Sequence, residues 1–439
     1  MFPDCFQELF KQESEENSKG KQNNLITFAS DIKDEATIAF VHEHREDDVR
    51  ALALQARRYP GVDMAWALDQ IQGWQTARRK LPSWAVIDDI IYPPHLSMEQ
   101  CSSQQTALYK CDILDSLPSG SHETLVDLTG GFGVDFAFMA TRAPRAIYVE
   151  RQPHLCETAR HNFKQLKLDH AIVINDDAEH VLATGGSDWG NPESTLLYLD
   201  PARRNEGGGR TYAIADCTPN VLELMDKLVK AGHRILIKLS PMLDWHKTVS
   251  DLGNKVSKVH IVSVGGECKE LLILVDTDQK NELTIHCVND ENCLTYKPSS
   301  DATEPTVITD GYHAAYLYEP NASIMKAGCF GVLTQRYPVM AIAADSHLFV
   351  STVPVGDFPG RCFSINAVTT MNKKELKRAQ EGISKANIST RNFPLSAQQL
   401  RQRLRLKDGG DTYIFGTTNA KGEYLLYICR KVDRIGEVK

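Results

Sequence analysis

The chain has 439 residues, 42% hydrophobic and 24% charged, with a formal net charge of -8. That balance suits a globular protein of roughly two to four domains, and no apolar run approaches the ~18 residues that a membrane-spanning helix needs. The charge is uneven: residues 361–439 hold 16 Lys and Arg against 7 Asp and Glu, so a basic C-terminal segment on an acidic body points to a polyanionic partner. The start, Met1-Phe-Pro-Asp-Cys5, lacks a basic stretch followed by an apolar one, and the expected location is cytoplasmic. The 11 cysteines are scattered without a C-x-x-C pair. They read as reduced thiols, mostly in the core, and no metal is expected.

Residues 1–95 are predicted to be helical. Asp31–Phe40 and Asp47–Ala56 space apolar residues three and four apart behind acidic starts, and Met64–Arg79 continues the pattern after a Tyr59-Pro-Gly-Val turn. Trp66, Trp74 and Trp84 are expected in the core, with His42 and His44 on the surface. Pro93-Pro94 marks a boundary. Ser97–Lys110 reads as one helix opened by a Ser-x-x-Gln cap.

Leu125-Val-Asp-Leu-Thr-Gly-Gly-Phe-Gly-Val-Asp135 then reads as a strand ending in Asp127, a tight turn at Gly130, Gly131 and Gly133, and the start of a helix over Phe136–Thr141. Glycine is expected there so that the backbone can approach a ligand. The strand Ala146–Val149 delivers Glu150 about 20 residues further on, where nucleotide-binding folds place a ribose-binding carboxylate. A third strand, Ala171–Ile174, delivers Asp176 and Asp177, and a fourth, Thr195–Leu199, delivers Asp200-Pro201-Ala202-Arg203-Arg204. Ligands bind at the carboxyl ends of parallel strands, so Asp127, Glu150, Asp177 and Asp200 are expected to converge on one crevice.

Beyond them, the Gly-rich stretch Asn205–Arg210 is expected to be a lid loop. Helix Pro219–Ala231 and strand Arg234–Lys238 continue the alternation, and His260–Val264 with Leu271–Val275 read as a closing strand pair. Strands Leu283–Val288 and Ala314–Tyr318 with helix Asn321–Arg336 suggest a small α+β domain. The rest reads as strand Cys362–Val368, helix Lys373–Glu381, strand Ala386–Thr390, helix Ser396–Leu404, and strands Thr412–Gly416 and Glu423–Cys429.

The stretch D-x-T-G-G-F-G with its acidic strand ends resembles the class I S-adenosylmethionine-dependent methyltransferases. The resemblance implies a Rossmann-like α/β sheet and S-adenosyl-L-methionine as cofactor. It assigns cofactor binding to Asp127, Thr129, Gly130, Gly131, Gly133, Asp135, Glu150, Arg151, Asp177, Ala178 and Asp200, with Glu150 on the ribose and Asp177 at the adenine amine. Ser103, Gln104, Thr106 and Lys110, before the first strand, become possible contacts for the methionine carboxylate, or simple helix surface. Over most of the chain, the strings D-P-A-R-R, S-S-x-x-T-A-x-Y-K and Y-L-Y-E-P-N-A resemble the RNA methyltransferases that carry a C-terminal THUMP-like domain after a ferredoxin-like insertion. The implied division is a helical domain (1–95), a methyltransferase domain (96–280), a ferredoxin-like domain (281–345) and a basic THUMP-like domain (346–439).

Asp200, Pro201 and Arg203 are the catalytic candidates. Related enzymes that methylate exocyclic amines follow the acidic residue with two prolines and an aromatic ring, whereas Ala202 and Arg203 stand here. Uracil 5-methyltransferases need a thiolate after the fifth strand, where this chain has Ser240-Pro241; Cys217 reads as a buried thiol. Arg204, Lys373, Lys377, Arg401 and Arg405 are candidates for RNA contacts. The sequence thus reads as an S-adenosylmethionine-dependent methyltransferase of a structured RNA (tRNA or rRNA), with no membrane partner. A non-catalytic RNA-binding protein on the same fold, or a small-molecule methyltransferase, are the alternatives.

Overall fold

The computed structural model describes residues 34–184, 189–203, 213–278, 282–301, 304–309 and 311–432. They fall in two compact units, Met1–Val181 and Leu182–Lys439. No helix among the described residues is long and apolar enough to cross a membrane.

The first unit opens with helices α1 (Glu35–His44), α2 (Val49–Leu54) and α3 (Met64–Lys80). Asp34, Asp48 and Asp63 cap them by accepting from the backbone amides of Thr37, Ala51 and Trp66. Residues 31–33 of the first expected helix lie outside the described residues. The three helices close on Phe40, Leu52, Ala67 and Ile71. Of the tryptophans, Trp84 is buried edge-on against Phe132. Trp66 and Trp74 are half-buried, and the guanidinium groups of Arg45 and Arg78 lie over the Trp74 ring.

Helices α4 (Pro82–Ala85), α5 (His95–Gln100) and α6 (Gln104–Asp115) follow, then β1 (Thr124–Asp127), α7 (Val134–Ala140), β2 (Arg145–Glu150), α8 (Pro153–Gln165), β3 (Ala171–Asn175) and α9 (Ala178–Thr184). The single helix expected over Ser97–Lys110 is two helices. Cys101 is extended, and the cap is Ser103, which accepts from the Thr106 amide. A side-chain oxygen that satisfies a new helix start competes with continuing the old one, and no Gly or Pro announces the break. Two amide side chains fix the helical segment to the α/β part: Gln70 exchanges two hydrogen bonds with the Tyr92 backbone, and Asn162 does so with Ile91.

The second unit begins with β4 (Thr195–Leu199), β5 (Ala202–Arg203), β6 (Cys217–Thr218), α10 (Val221–Ala231), β7 (Arg234–Leu239), α11 (Trp245–Leu252), β8 (Val256–Val264), β9 (Glu267–Asp276), β10 (Thr284–Asn289) and β11 (Asn292–Tyr296). β4 and β7 are parallel, and β9 runs antiparallel between β7 and β8. The strand expected at Leu283–Val288 is β10. It lies parallel to β8 and carries β11 on its other side, which pairs backbone groups that a bare β8 edge would expose.

His260 and His286 are opposite each other on β8 and β10, and their rings stack at 4.4 Å. Burial, followed by the charges of His286 and Lys258, holds His260 well below its ordinary value, while burial and Lys258 push His286 down to about 4. Between pH 6.5 and about 4 the unfolded chain therefore binds protons that the folded pair refuses. Stability to urea is expected to fall as pH drops through that window, and His260→Leu with His286→Leu should flatten the profile. An unchanged profile in the double variant would refute this.

The second sheet of this unit comprises β12 (Tyr316–Pro320), β13 (Met340–Ala341), β14 (Phe349–Ser351), β15 (Gly360–Thr370), β16 (Asn387–Arg391), β17 (Thr412–Thr418) and β18 (Tyr424–Val432), in the order β13-β14-β12-β15-β18-β17-β16. The helix expected over Asn321–Arg336 is broken into α12 (Ala322–Ala327) and α13 (Phe330–Arg336) by Gly328, whose φ of 70° ends the first helix in the left-handed region. Strand alternation splits the core. Phe363, Phe415, Tyr427 and Cys429 face Leu317 and Ile342, whereas Ile414, Leu426 and Ile428 face α14 (Lys373–Ala379) and α15 (Ala397–Leu404). Glu319, the acidic residue of the Y-L-Y-E-P-N-A string, is buried and accepts from both Arg361 and Arg391.

Candidate functional site

In the first unit, β1, β2 and β3 are parallel, with Asp127 beside Tyr148 and Glu150 beside Asn175. The turn after β1 owes its shape to its glycines. Gly131 and Gly133 have φ of 56° and 83°, the region that side chains disfavour. Gly130 has another cause: a Cβ there would lie 2.2 Å from the Tyr148 ring. The Tyr148 hydroxyl also donates to the Gly131 carbonyl. The Tyr148 ring thus packs against the turn, a second reason for glycine there beside the expected approach of a ligand. At Gly131 an added Cβ would meet nothing nearer than 3.7 Å. Burial first, then the carboxylates of Glu150 and Asp127, push the Tyr148 phenol up, so it stays a donor.

Two carboxylates flank the turn. Asp127, 2% exposed, accepts from the Thr129 amide at 2.9 Å. Glu150 accepts from the Gly131 amide at 2.9 Å through Oε2 and from the Gln152 amide at 2.8 Å through Oε1. An ionised carboxylate can accept about four hydrogen bonds, so Glu150 is oriented with capacity to spare. Arg151, next in the chain, is exposed.

Past β3, Asp176 binds His180 Nδ1 at 2.7 Å and accepts from the Asp177 amide. The His180 bond, followed by that amide, holds the Asp176 carboxyl below its usual range. Asp177 is exposed and accepts from the Glu179 amide at 2.8 Å at the head of α9, where Ala178 is buried.

Asp135, in the first turn of α7, is 3.1 Å from Lys110 Nζ and accepts from Ser102 Oγ at 2.8 Å. Lys110 is fully buried, so it is not helix surface. Nearby, Ser103 and Thr106 serve the start of α6, and Gln104 accepts from the Ser83 amide.

In the second unit, Asp200 follows β4 and accepts from Lys238 Nζ at 2.7 Å. Pro201 is buried, and Ala202 and Arg203 pair with Thr218 and Cys217 in the β5–β6 ribbon. Arg204 and the loop at 205–210 lie outside the described residues. Sequence reasoning missed Lys238. The available signal was a lone charge in the apolar run Ile235-Leu-Ile-Lys-Leu239. Cys217 is buried, and Ser240 Oγ accepts from the Met242 amide.

Among the RNA candidates, Lys373 and Lys377 are exposed on α14 and Arg405 is exposed beyond α15, while Arg401 is paired with Asp408 at 2.5 Å. Leu376 and Ala379 pack α14 into the same core that Leu400 and Leu404 pack α15 into, so both helices cover one side of the sheet. Among the described residues no group of three or more His, Cys, Asp or Glu side chains could hold a metal ion.

A Gly-rich turn behind parallel strands with acidic ends, together with a parallel β4–β7 pair flanked by the reversed β9, is the architecture of a class I methyltransferase. Family models match residues 316–359 as a ferredoxin-like domain and residues 360–431 as a THUMP domain-like region. A candidate methyltransferase from Porphyromonas gingivalis W83, of known structure, is 32% identical, with 91% of this chain and 98% of that one covered and a TM-score of 0.77. The chain belongs to its family, the class I methyltransferases with ferredoxin-like and THUMP-like C-terminal domains. The candidate methyltransferase yhhF of Escherichia coli is 17% identical over 40% of this chain and 88% of its own, with a TM-score of 0.29. An rRNA methylase of Streptococcus thermophilus is 14% identical over 38% and 93%, with a TM-score of 0.27. A search of curated proteins gives no match.

Proposed function

We propose that the chain is an S-adenosylmethionine-dependent methyltransferase acting in the cytoplasm on a structured RNA, tRNA or rRNA, captured by its basic C-terminal domain. The observation that carries this is the Glu150 carboxylate, aimed by the Gly131 and Gln152 amides at the glycine turn. Glu150 takes the ribose hydroxyls, Asp127 supports the turn through Thr129, and Asp177 takes the adenine amine. Asp200 orients the acceptor. Methyl transfer from a sulfonium is an in-line displacement, so alignment is the main task of the protein, worth up to about 7–11 kcal/mol.

Calorimetry with S-adenosylmethionine or S-adenosylhomocysteine tests the cofactor, and absence of binding at millimolar ligand removes the enzyme reading. Mass spectrometry of nucleosides from a deletion strain against its parent tests the substrate, since one methylated nucleoside should be missing. The RNA interface makes its own prediction. Binding should weaken steeply with salt, and reversing Lys373 and Lys377 to Glu should reduce the log–log salt slope by about 1 or more per lost phosphate contact. A slope unmoved by both reversals would take α14 out of the interface.

A further inference from the structure

We propose that the segment after β7 supplies the aromatic platform on which the target nucleobase of the RNA stacks, the ring of His246 backed by Trp245; this rests on the RNA methyltransferase reading. The place of that segment follows from topology. β9 runs antiparallel to both β7 and β8, so β7 and β8 are parallel to each other. Parallel strands need a crossover, and α11 therefore starts at the carboxyl end of β7 and leads back to the start of β8. That is the end of the sheet at which Lys238 and Asp200 lie 2.7 Å apart, and the end at which parallel sheets bind ligands.

The chain leaves β7 through a tight turn, in which the Leu243 amide donates to the Ser240 carbonyl at 3.1 Å. Asp244 then caps α11 by accepting from the His246 amide at 2.8 Å. In the first turn of that helix the Trp245 ring is buried, and the His246 ring is stacked on it with centroids 3.6 Å apart and planes 27° apart. The His246 Nδ1 is 3.4 Å from Asp244 Oδ1, and the histidine side chain is 67% exposed. One face of the imidazole is thus covered by indole while the other is open to solvent.

An enzyme that works on a base takes it out of its stack and must replace the stacking that the base loses. A flat ring with one open face does so for any base, since every base has a π-face, and histidine is among the side chains used. Ala202 and Arg203, which follow Asp200-Pro201, bring no ring to this end of the sheet. His246 brings one from the neighbouring parallel strand's connection. Met242, on the turn before it, is 52% exposed, which adds a polarisable apolar group to the same end.

The full-length protein is incubated with S-adenosylmethionine carrying a labelled methyl group and with total RNA from a strain lacking it. His246→Ala should lower kcat by about 5- to 150-fold, the worth of one base stacked on an aromatic side chain. Its KM for RNA should stay within about threefold, because phosphate contacts rather than one splayed base hold the RNA. Its affinity for S-adenosylhomocysteine should not move. His246→Phe, which keeps a flat ring and loses both ring nitrogens, should return to within about threefold of the wild-type kcat. A wild-type kcat in His246→Ala overturns the inference and leaves the RNA methyltransferase reading standing, and so does a phenylalanine variant as slow as the alanine variant. A loss confined to KM would make His246 a general RNA contact, and a lowered melting temperature with kcat unchanged would make it a cover for Trp245; either result overturns the inference. If the wild-type protein labels no RNA, the RNA methyltransferase reading falls and this inference falls with it.

Discussion

Replacing Lys110 by methionine is expected to destabilise the first unit by about 3–5 kcal/mol, the largest stability effect anticipated for a single side chain here. Its ammonium is fully buried and sits 3.1 Å from an Asp135 carboxylate that is itself 9% exposed. Without Lys110 the buried carboxylate loses its cationic partner, and a buried charge stripped of its counter-ion is costly. Adding Asp135→Asn should restore more than half of the loss, since an amide still accepts from Ser102 and needs no counter-charge. Calorimetric melting of the single and double variants checks this. A single variant that melts like wild type, or a double variant worse than the single, would show that the pair is not the linchpin of α6 and α7. As α7 springs directly from the glycine turn, the weakened variant should also bind cofactor less tightly.

The second large effect concerns Glu150. Truncation to alanine is expected to weaken S-adenosylhomocysteine binding by about 100-fold, because the proposed role gives Glu150 two hydrogen bonds from ribose hydroxyls and both would be lost together. Glu150→Gln separates ribose recognition from support of the turn. One amide oxygen can still serve the Gly131 amide, yet the site loses its charge and one acceptor, so an intermediate affinity is expected. Titration calorimetry of the three proteins decides. Equal affinities would move the ribose away from Glu150. A Gln variant as poor as the Ala variant would mean that the negative charge dominates over the count of acceptors.

Much of this fold is legible in the sequence because its signals are local. Gly131 and Gly133 announce a turn through their backbone freedom, and the apolar runs before Asp127, Glu150 and Asp200 announce strands. Asp34, Asp48 and Asp63 cap helices within three residues of themselves. What stayed hidden is decided at long range. Nothing near Lys110 says that its partner is Asp135, nor does Gly130 betray that its neighbour is the Tyr148 ring. The break at Cys101–Ser103 carries no Gly or Pro, and only the hydroxyl of Ser103 reveals it. Gly328 did offer a signal, as a glycine inside an otherwise helical stretch. Lys238 was visible as the odd charge in an apolar strand, but its meaning depends on lying beside Asp200 in another strand.

Glu319 constrains how the proposed RNA capture can be separated from the proposed chemistry by experiment. It stands on β12, in the ferredoxin-like region, while Arg361 and Arg391 belong to the THUMP-like region, and β15 is also the hydrogen-bonding neighbour of β12. Cutting the chain at residue 359 would strip a buried carboxylate of both counter-ions and leave a raw strand edge. A shortened protein that lost activity would therefore report on misfolding as much as on substrate delivery. Charge reversal on the outward faces of α14 and α15, which leaves that ionic rivet in place, tests the proposed RNA contacts without dismantling the domain.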